Sequence, residues 1–352
     1  MKLRDYLGKG LAIAALSAAI GLASDRSEAA GVEDVYSGET LTIMIGHPPG
    51  GSYDLYAQLA AAFIGEHIPG NPNVIVQHMP GGGGRKGAAF FINNVEPDGL
   101  TVGIFPDTLG HIQQLRPKQA DWDASKFRYI GRFAPANAAF AVRKGAPATT
   151  VDEMRNTEII VACTGKSSRS AQQPAALKNV GGLKLRLICG YKGSEAAKLA
   201  TLRGEADMFS QNWASFKSDY AHIESGELKI VLQAGLERDP ELPNVPLLLE
   251  VTDDPEAKRI LRYVSAGAPV GRSMMAHPDT SEEIIAALRE AFQSMISDPA
   301  FLAEAKKRQA IIDPAPGEEI EAIMAEIMSA SPELIAAAQK AMDTSDAGEA
   351  TN

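Results

Sequence analysis

Residues 41–63 read LTIMIGHPPGGSYDLYAQLAAAF, and this stretch sets the expectation for the fold. A short apolar run (41–45) is followed by a turn rich in proline and glycine (47–52). Apolar residues then recur at the spacing of a helix with one buried face, at Leu55, Leu59, Ala62 and Phe63. The stretch therefore predicts a strand, a tight turn and an amphipathic helix whose N-cap is Ser52.

The same order of strand, loop and helix recurs along the chain. Further strands are predicted at 73–77 and 100–105 and, after a break near 135–147, at 158–163, 184–189, 206–210 and 228–232. Strands that alternate with helices indicate parallel sheets covered on both faces, and two such blocks indicate two lobes. Helices are expected over 281–296, 299–309 and 317–340, and the polar tail 343–352 is expected to be disordered.

Composition excludes several classes of protein. The chain has 352 residues, of which 45% are hydrophobic and 22% charged, so it is long enough for two folded domains of ~150 residues each. The 34 basic and 44 acidic residues give a net charge of −10, which argues against a nucleic-acid partner. Two cysteines and six scattered histidines provide no zinc-ligand spacing, so neither a metal nor a cofactor is expected.

The first 29 residues have the character of a cleavable signal peptide. Basic residues precede a run of small and apolar residues (10–23), and small residues follow at Ser27 and Ala29. A membrane anchor is the alternative, but roughly 14 apolar residues fall short of the ~20 that span a bilayer. We therefore expect cleavage after Ala29 and a periplasmic protein.

Four glycine-containing loops lie between a predicted strand and the next helix, at 48–52, 80–84, 164–168 and 191–194. Ligands bind at this edge of open α/β sheets, where glycines allow close approach and helix N-termini attract anions. Any single loop is better explained by glycine turning the chain than by a ligand site. Four together predict a site for a small carboxylate or phosphate.

Motifs for nucleotide binding or catalysis are incomplete. Gly165-Lys166-Ser167 matches the end of a phosphate loop, but Ile160 occupies the position of its first glycine. The glycine spacing at 82, 84 and 87 lacks the acidic ribose partner of a dinucleotide site. Cys163 and Cys189 each end a predicted strand, which leaves open whether they are buried thiols or a disulfide.

Taken together, the loops resemble those of the extracytoplasmic solute receptors of tripartite tricarboxylate transporters, the Bug receptor family. The family's P-G-G-x-x-D-x-x-A-R, N-x-P-G-A-G-G and P-D-G-x-T motifs resemble residues 49–58, 78–84 and 97–101. Its second-lobe motifs T-G-x-x-S, Y-K-G-S, R-G-E-x-D and lP-x-v-P resemble residues 164–168, 191–194, 203–207 and 242–246. The resemblance spans about 39–340 in the expected order. Two positions depart from it, since Gln58 replaces an arginine and His78 an asparagine.

The resemblance implies a two-lobed periplasmic binding protein with a mixed, largely parallel sheet in each lobe and a helical C-terminal segment. Lobe 1 would comprise 36–140 with 263–342, and lobe 2 would comprise 141–262, joined by crossings near 134–142 and 260–270. Such receptors grip a carboxylate through backbone amides and water. The implied ligand-binding residues are Gly50, Gly51, Ser52, Tyr53, Asp54, Gly81, Gly82, Gly83, Thr164, Gly165, Ser167, Ser168, Lys192, Gly193 and Ser194.

Several side chains near these loops have two possible roles. Lys166, Arg169 and Lys192 either add positive charge to the site or are solvated at helix starts. Asp54 either caps its helix or repels a second carboxylate. Trp213 either forms an aromatic wall for the ligand or packs in the core. His47 adjoins a glycine loop and either lines the cleft or lies on the surface.

The resemblance also implies the function: a receptor, not an enzyme, that binds a small carboxylate and delivers it to the large and small membrane subunits of a tripartite tricarboxylate transporter. A monomer is expected. Two alternatives share the architecture, namely a receptor that reports ligand to a signalling system and a periplasmic α/β enzyme acting on a phosphorylated or carboxylated small molecule. The sequence contains no recognisable motif that pairs a nucleophile with a base, and this argues against the enzyme.

Overall fold

The computed structural model describes residues 31–166, 168–217 and 220–350. The predicted signal peptide and Ser167 lie outside these residues. The described chain forms two six-stranded sheets, with strand orders β11-β4-β10-β3-β1-β2 and β12-β7-β6-β8-β5-β9. The strands are β1 Thr40–Ile45, β2 Asn73–His78, β3 Thr101–Ile104, β4 Arg128–Ala134, β5 Ala138–Arg143, β6 Ile159–Cys163, β7 Leu185–Cys189, β8 Met208–Asn212, β9 Leu228–Ala234, β10 Arg272–Ala276, β11 Ala315–Pro316 and β12 Gly348–Glu349.

Helices cover both sheets. They are α1 Val32–Tyr36, α2 Ser52–Phe63, α3 Arg85–Asn94, α4 Leu109–Leu115, α5 Val151–Met154, α6 Arg169–Asn179, α7 Ser194–Leu202, α8 Trp213–Lys217, α9 Ala221–Glu224, α10 Pro255–Ser265, α11 Glu282–Ser297, α12 Pro299–Lys307, α13 Gly317–Met328 and α14 Pro332–Ala341. The helix expected over 317–340 is two helices. Ser331 caps α14 by accepting a hydrogen bond from the Leu334 amide, and Pro332 occupies the first helical position, where its missing N–H costs nothing.

The first predicted unit is confirmed. β1 lies in the middle of the first sheet, parallel to β2 and β3, and its Ile43 and Ile45 are fully buried. α2 begins one residue earlier than expected, with Gly51 as the N-cap and Ser52 as its first residue. The helix buries Tyr56, Ala57, Leu59 and Ala60. The face predicted from the spacing was wrong in part, because Leu59 is its one buried member and Ala62 is exposed.

Each sheet is mixed, as predicted, and the antiparallel members are strands that the local pattern did not identify. β10 runs antiparallel to β3 and β4, and β5 runs antiparallel to β8 and β9. β5 occupies part of the stretch expected to be a break. These strands are buried on both faces, so they show no alternation of polar and apolar residues to mark them.

The chain passes from one sheet to the other between β4 and β5, at residues 135–137, and returns between α10 and β10, at 266–271. It passes to the second sheet once more between β11 and β12. The predicted segments 134–142 and 260–270 overlap the first two passages, and the second passage ends one residue beyond the predicted range. Because β5 begins at Ala138, residues 138–140 belong to the second sheet and not to the first.

The polar tail differs from the expectation of disorder. Its residues 348–349 form β12, parallel to the edge strand β7, and the Ala350 amide donates a hydrogen bond of 2.7 Å to the Cys189 carbonyl. Lys178 and Asp346 form an ion pair beside it. An open strand edge offers unpaired backbone groups to any extended segment, so pairing there does not require apolar side chains.

The two cysteines form a disulfide, which settles the alternative left open by the sequence. Cys163 and Cys189 are register partners at the ends of the parallel strands β6 and β7, with Cα atoms 4.4 Å apart. The bond therefore joins the strand ends from which two of the glycine-containing loops emerge.

Candidate functional site

A cleft of about 740 Å³ lies between the two sheets. Its walls come largely from the segments that follow the parallel strands β1, β2, β3, β6, β7 and β8, which is where ligands bind in open α/β sheets. β10 is antiparallel to β3, so its first residue, Arg272, reaches the same edge as the carboxyl end of β3. The fold thereby brings together residues that are far apart in the sequence.

About half of the predicted site residues line this cleft. Those that do are Tyr53, Gly82, Gly83, Thr164, Gly165, Ser168 and Ser194. Those that lie outside the lining are Gly50, Gly51, Ser52, Asp54, Gly81, Lys192 and Gly193. Ser167 is outside the described residues.

The first glycine-rich turn is braced by Asp54. One carboxylate oxygen accepts the Gly50 amide at 2.8 Å, and the other contacts His78 Nε2 at 2.8 Å and Gln58 Nε2 at 3.3 Å. Burial raises the pKa of Asp54, but the hydrogen bonds from Gly50, His78 and Gln58 outweigh it and lower the pKa overall. Asp54 thus braces the turn that precedes α2, and the Gly50 amide is already occupied.

The second glycine loop is explained in part by packing. Gly84 has a left-handed φ of 91°, and a Cβ there would lie 2.5 Å from Pro106 Cγ and 2.9 Å from His47 Cε1. The chain can pass between β1 and β3 at this point only without a side chain.

The loop after β6 also satisfies its own amides. The Thr164 amide donates to Ser170 Oγ at 3.1 Å, and the Gly165 amide donates to Ser168 Oγ at 3.3 Å. Lys166 is exposed, and its Nζ lies 3.9 Å from Glu349 Oε1. Lys192 is exposed as well. Both lysines therefore correspond to the expected role of solvated residues at helix starts. These amides are engaged with serine hydroxyls in this structure.

Arg169, in contrast, lines the cleft and adds positive charge to it, which is the other role expected for this residue. Its Nη2 lies 2.5 Å from Asp107 Oδ1, and its Nη1 donates to the Ala136 carbonyl at 3.3 Å. Burial lowers the pKa of this guanidinium, but the Asp107 charge and hydrogen bond raise it further. The pair joins the segment after β3 in the first sheet to the start of α6 on the second.

Arg272, Tyr53 and His47 form a second cluster, and we call the end of the cleft that they line its inner end. The Arg272 guanidinium carbon lies 4.1 Å from the centre of the Tyr53 ring, and the His47 ring stacks on Tyr53 with centroids 4.1 Å apart. Burial and the nearby Arg272 charge lower the pKa of His47 to about 4, although Asp107 opposes them. Burial also raises the pKa of Tyr53. Both rings are therefore uncharged at neutral pH.

Two buried amides contribute to the opposite wall. Gln173 on α6 and Gln211 on β8 are 3% and 8% exposed, and their Oε1 atoms have no hydrogen-bond partner within the described chain. Buried amides are normally paired, so these two oxygens are unpaired acceptors within this wall. Trp213 does not line the cleft; it is 3% exposed, packs near Phe216 and donates to Glu241.

Charge in the cleft is opposite to that of the whole chain. Among the described residues that line it, four are arginines (Arg85, Arg116, Arg169 and Arg272) and one is acidic (Asp107). A concave, partly buried surface of one sign attracts ions of the other sign more strongly than an exposed surface does. The cleft is therefore suited to an anion, although the net charge of the chain is −10.

A sequence profile described as "Tripartite tricarboxylate transporter family receptor" matches residues 66–327, which is more than half of the chain. The chain belongs to this family. It is a family of extracytoplasmic solute receptors, and the resemblance seen in the loop motifs is confirmed. No relative with a curated description matches the chain. In the part of the chain that the structure describes, no helix has the length and apolar character needed to cross a membrane.

Solved structures share the fold at low identity. A TctC solute-binding protein from Polaromonas is 23% identical, with a TM-score of 0.67 over 87% of this chain and 99% of that one. The periplasmic binding protein BugD is 20% identical (TM-score 0.62, 90% and 100% coverage). MatC from Rhodopseudomonas palustris, solved with bound malate, is 21% identical (TM-score 0.60, 86% and 99% coverage). At these identities the likeness establishes the two-lobed binding-protein fold.

The two departures from the family motifs meet at one point. Gln58 and His78 both contact the Asp54 carboxylate, although they are 20 residues apart in the sequence. The change in side chains is thus local to the brace of the first turn.

Sequence reasoning missed the residues that carry most of the polar character of the cleft. Asp107, Gln173, Gln211 and Arg272 match no motif and follow no periodicity. The one sequence signal for Arg272 is a charged residue at the start of a buried run (272–276), which calls for a partner or a function.

Proposed function

We propose that this receptor captures a small organic anion, a carboxylate, between two lobes in the periplasm and delivers it to a tripartite tricarboxylate-type transporter. The observation that carries the proposal is the cleft between the sheets, which four arginines and one aspartate line in an otherwise acidic chain. The charge asymmetry attracts an anion from solution and favours its binding at the junction of the sheets.

Two structural neighbours support a carboxylate as the ligand class. MatC was solved with malate, and a second R. palustris protein (18% identical, TM-score 0.61, 86% and 97% coverage) was solved with adipate. We infer the same general class for this chain and propose no individual acid. The arginines provide the reason from the chain itself, because guanidinium groups match the planar geometry of a carboxylate.

The mechanism we propose is closure of the two lobes about the crossings at 135–137 and 266–271. We place lobe 1 at the first sheet with α11–α13 and lobe 2 at the second sheet, close to the boundaries expected from the sequence. α14 packs on α6 and α10 as well as on α4, and the tail after it joins the second sheet at β12. A ligand that contacts both walls binds the closed form better and shifts the population toward it. Closure would present a surface made by both lobes to the membrane subunits.

We also propose that the receptor has no catalytic activity. The hydroxyls of Ser168 and Ser170 bond to each other at 2.8 Å, and His111 Nε2 contacts the Tyr263 carbonyl at 2.8 Å. In the described part of the cleft these groups are committed to one another and to the backbone, an arrangement that differs from a nucleophile activated by a base. A bound ligand should be recovered unchanged.

Thermal unfolding against a panel of ligands tests this function. The panel contains mono-, di- and tricarboxylates, aromatic acids, amino acids, phosphates and nucleotides. A ligand at ~100 times its dissociation constant adds about 2.7 kcal/mol to stability and raises the midpoint by several degrees. Stabilisation by one class of carboxylate supports the proposal. Stabilisation by nucleotides or phosphates alone, or turnover of the ligand, would overturn it.

A further inference from the structure

Arg272 is held in a fixed orientation at the inner end of the cleft. Its Nε donates to Ser52 Oγ at 3.1 Å and its Nη1 to Tyr53 Oη at 3.3 Å, while the guanidinium lies over the Tyr53 ring. The residue is only 5% exposed. The side chain is therefore pre-organised, and little rotamer entropy remains to be lost when a ligand binds it.

No acidic side chain of the described residues lies within 4.0 Å of this guanidinium as an ion-pair partner, in contrast to Arg132, Arg143 and Arg169. Arg169 has Asp107 at 2.5 Å, Arg143 has Asp207 at 2.7 Å, and Arg132 has Asp313 at 3.9 Å. Nη2 of Arg272 also makes no hydrogen bond to a described residue. Buried charges are normally paired, so a guanidinium in this setting requires an anion from elsewhere.

The surroundings leave this charge uncompensated. His47 and Tyr53 are uncharged at neutral pH, as argued above, and the Asp107 carboxylate is matched by Arg169. His111, the other histidine of the cleft, is buried, and burial lowers its pKa as well. The inner end of the cleft thus carries the equivalent of one positive charge, located on Arg272.

We propose that Arg272 is the primary anchor of the ligand and that one carboxylate group of the ligand binds the guanidinium edge left free by Ser52 and Tyr53. The inference rests on the proposed function and adds to it that a buried side chain, in place of the backbone amides of the glycine loops, supplies the main contact. The amides of Gly50, Thr164 and Gly165 already donate to side chains of this protein, which supports a main contact from a side chain instead of from these amides. A second acidic group, where a ligand has one, faces Arg85 and Arg116 on the lining.

The test uses a carboxylate that stabilises the unaltered protein in the thermal panel, with its dissociation constant measured by calorimetry. Arg272→Gln should weaken binding by about 30-fold or more, because a buried charge partner is lost. Arg272→Lys keeps the charge without the planar fork and should give an intermediate loss. Arg128→Gln is the matched control, since this partly buried arginine lies outside the cleft lining and pairs with Glu282; it should change binding less than about twofold.

The outcomes separate the two proposals. Carboxylate binding within threefold of the unaltered protein in a folded Arg272→Gln variant would overturn the anchor and leave the receptor function intact. No response of the unaltered protein to any carboxylate would overturn the function and the anchor together. If Arg272→Gln does not fold, a crystal structure of the unaltered protein with the carboxylate decides: a carboxylate oxygen within 3.2 Å of the guanidinium supports the anchor, and a carboxylate elsewhere in the cleft overturns it.

Discussion

Arg169 and Asp107 form an ion pair that joins the two sheets across the cleft, with Nη2 and Oδ1 2.5 Å apart. The Asp107 side chain is 3% exposed and the Arg169 side chain 27% exposed. Arg169 also donates to Ala136, which lies in the first crossing. The pair therefore connects both walls of the cleft to the segment about which we propose that they move.

Removal of the Asp107 charge should destabilise the protein. Asp107→Asn leaves the Arg169 guanidinium without a counter-ion, and we expect a loss of roughly 2 kcal/mol in the free energy of unfolding, between the values typical of exposed and buried pairs. Urea unfolding measures this loss. Glu256→Gln is the control, because both members of its 2.9 Å pair with Arg259 are about half-exposed and the pair should contribute far less to stability. Equal effects of the two variants would contradict the prediction.

The disulfide should contribute to stability without being needed for binding. A bond between residues 26 apart restricts the unfolded chain, and its loss in Cys163→Ser/Cys189→Ser should cost roughly 2–4 kcal/mol. The melting temperature of the unaltered protein should fall to that of the variant when a reductant is added. The melting temperature of the variant should not change when the reductant is added. A change would mean that the reductant acts on the protein by a route other than this disulfide, and the prediction would then be contradicted.

His47 should make stability depend on acid. Its pKa is about 4 in the folded protein, below the ordinary value of 6.5. The unfolded chain therefore binds a proton first as the pH falls, so the contribution of His47 is complete above about pH 6.5 and is lost between pH 6.5 and 4. After a discount for partial exposure we expect about 1–2 kcal/mol. Urea midpoints of the unaltered protein and of His47→Gln, compared over this range, should show the difference, and parallel curves would refute it.

Asp54 should act on stability and not on ligand choice. Asp54→Ala removes the acceptor for Gly50, His78 and Gln58, and the loss of hydrogen bonds of this kind should cost about 1 kcal/mol. The relative affinity for mono- and dicarboxylates should stay the same in calorimetry. A selective gain for dicarboxylates would instead support the role of repelling a second carboxylate. Asp54→Asn, which keeps an acceptor oxygen, should lose less stability.

Local sequence patterns predicted the strands and helices whose signals are local. The unit from β1 to α2 shows its apolar run, its turn residues and its helical spacing within 23 consecutive residues, and the structure reproduces it within one residue at the helix start. β4, β5 and β10 were missed because strands buried on both faces are identified by their partners, and those partners lie elsewhere in the chain. The tail 343–350 was misjudged for the same reason, since β7 offers an edge that composition cannot reveal.

By itself the sequence determined the class of protein, the glycine-containing loops at strand ends and the family resemblance, because these features depend on neighbours in the chain. Only the tertiary structure decided which groups meet in the cleft. Arg272 lies 219 residues from Tyr53, and Arg169 lies 62 residues from Asp107; both contacts arise because strands of opposite direction or different sheets end at one edge. Whether a charged side chain is paired, buried or open to a ligand depends on such distant neighbours, and for Arg272 that environment is set by the packing of the folded chain.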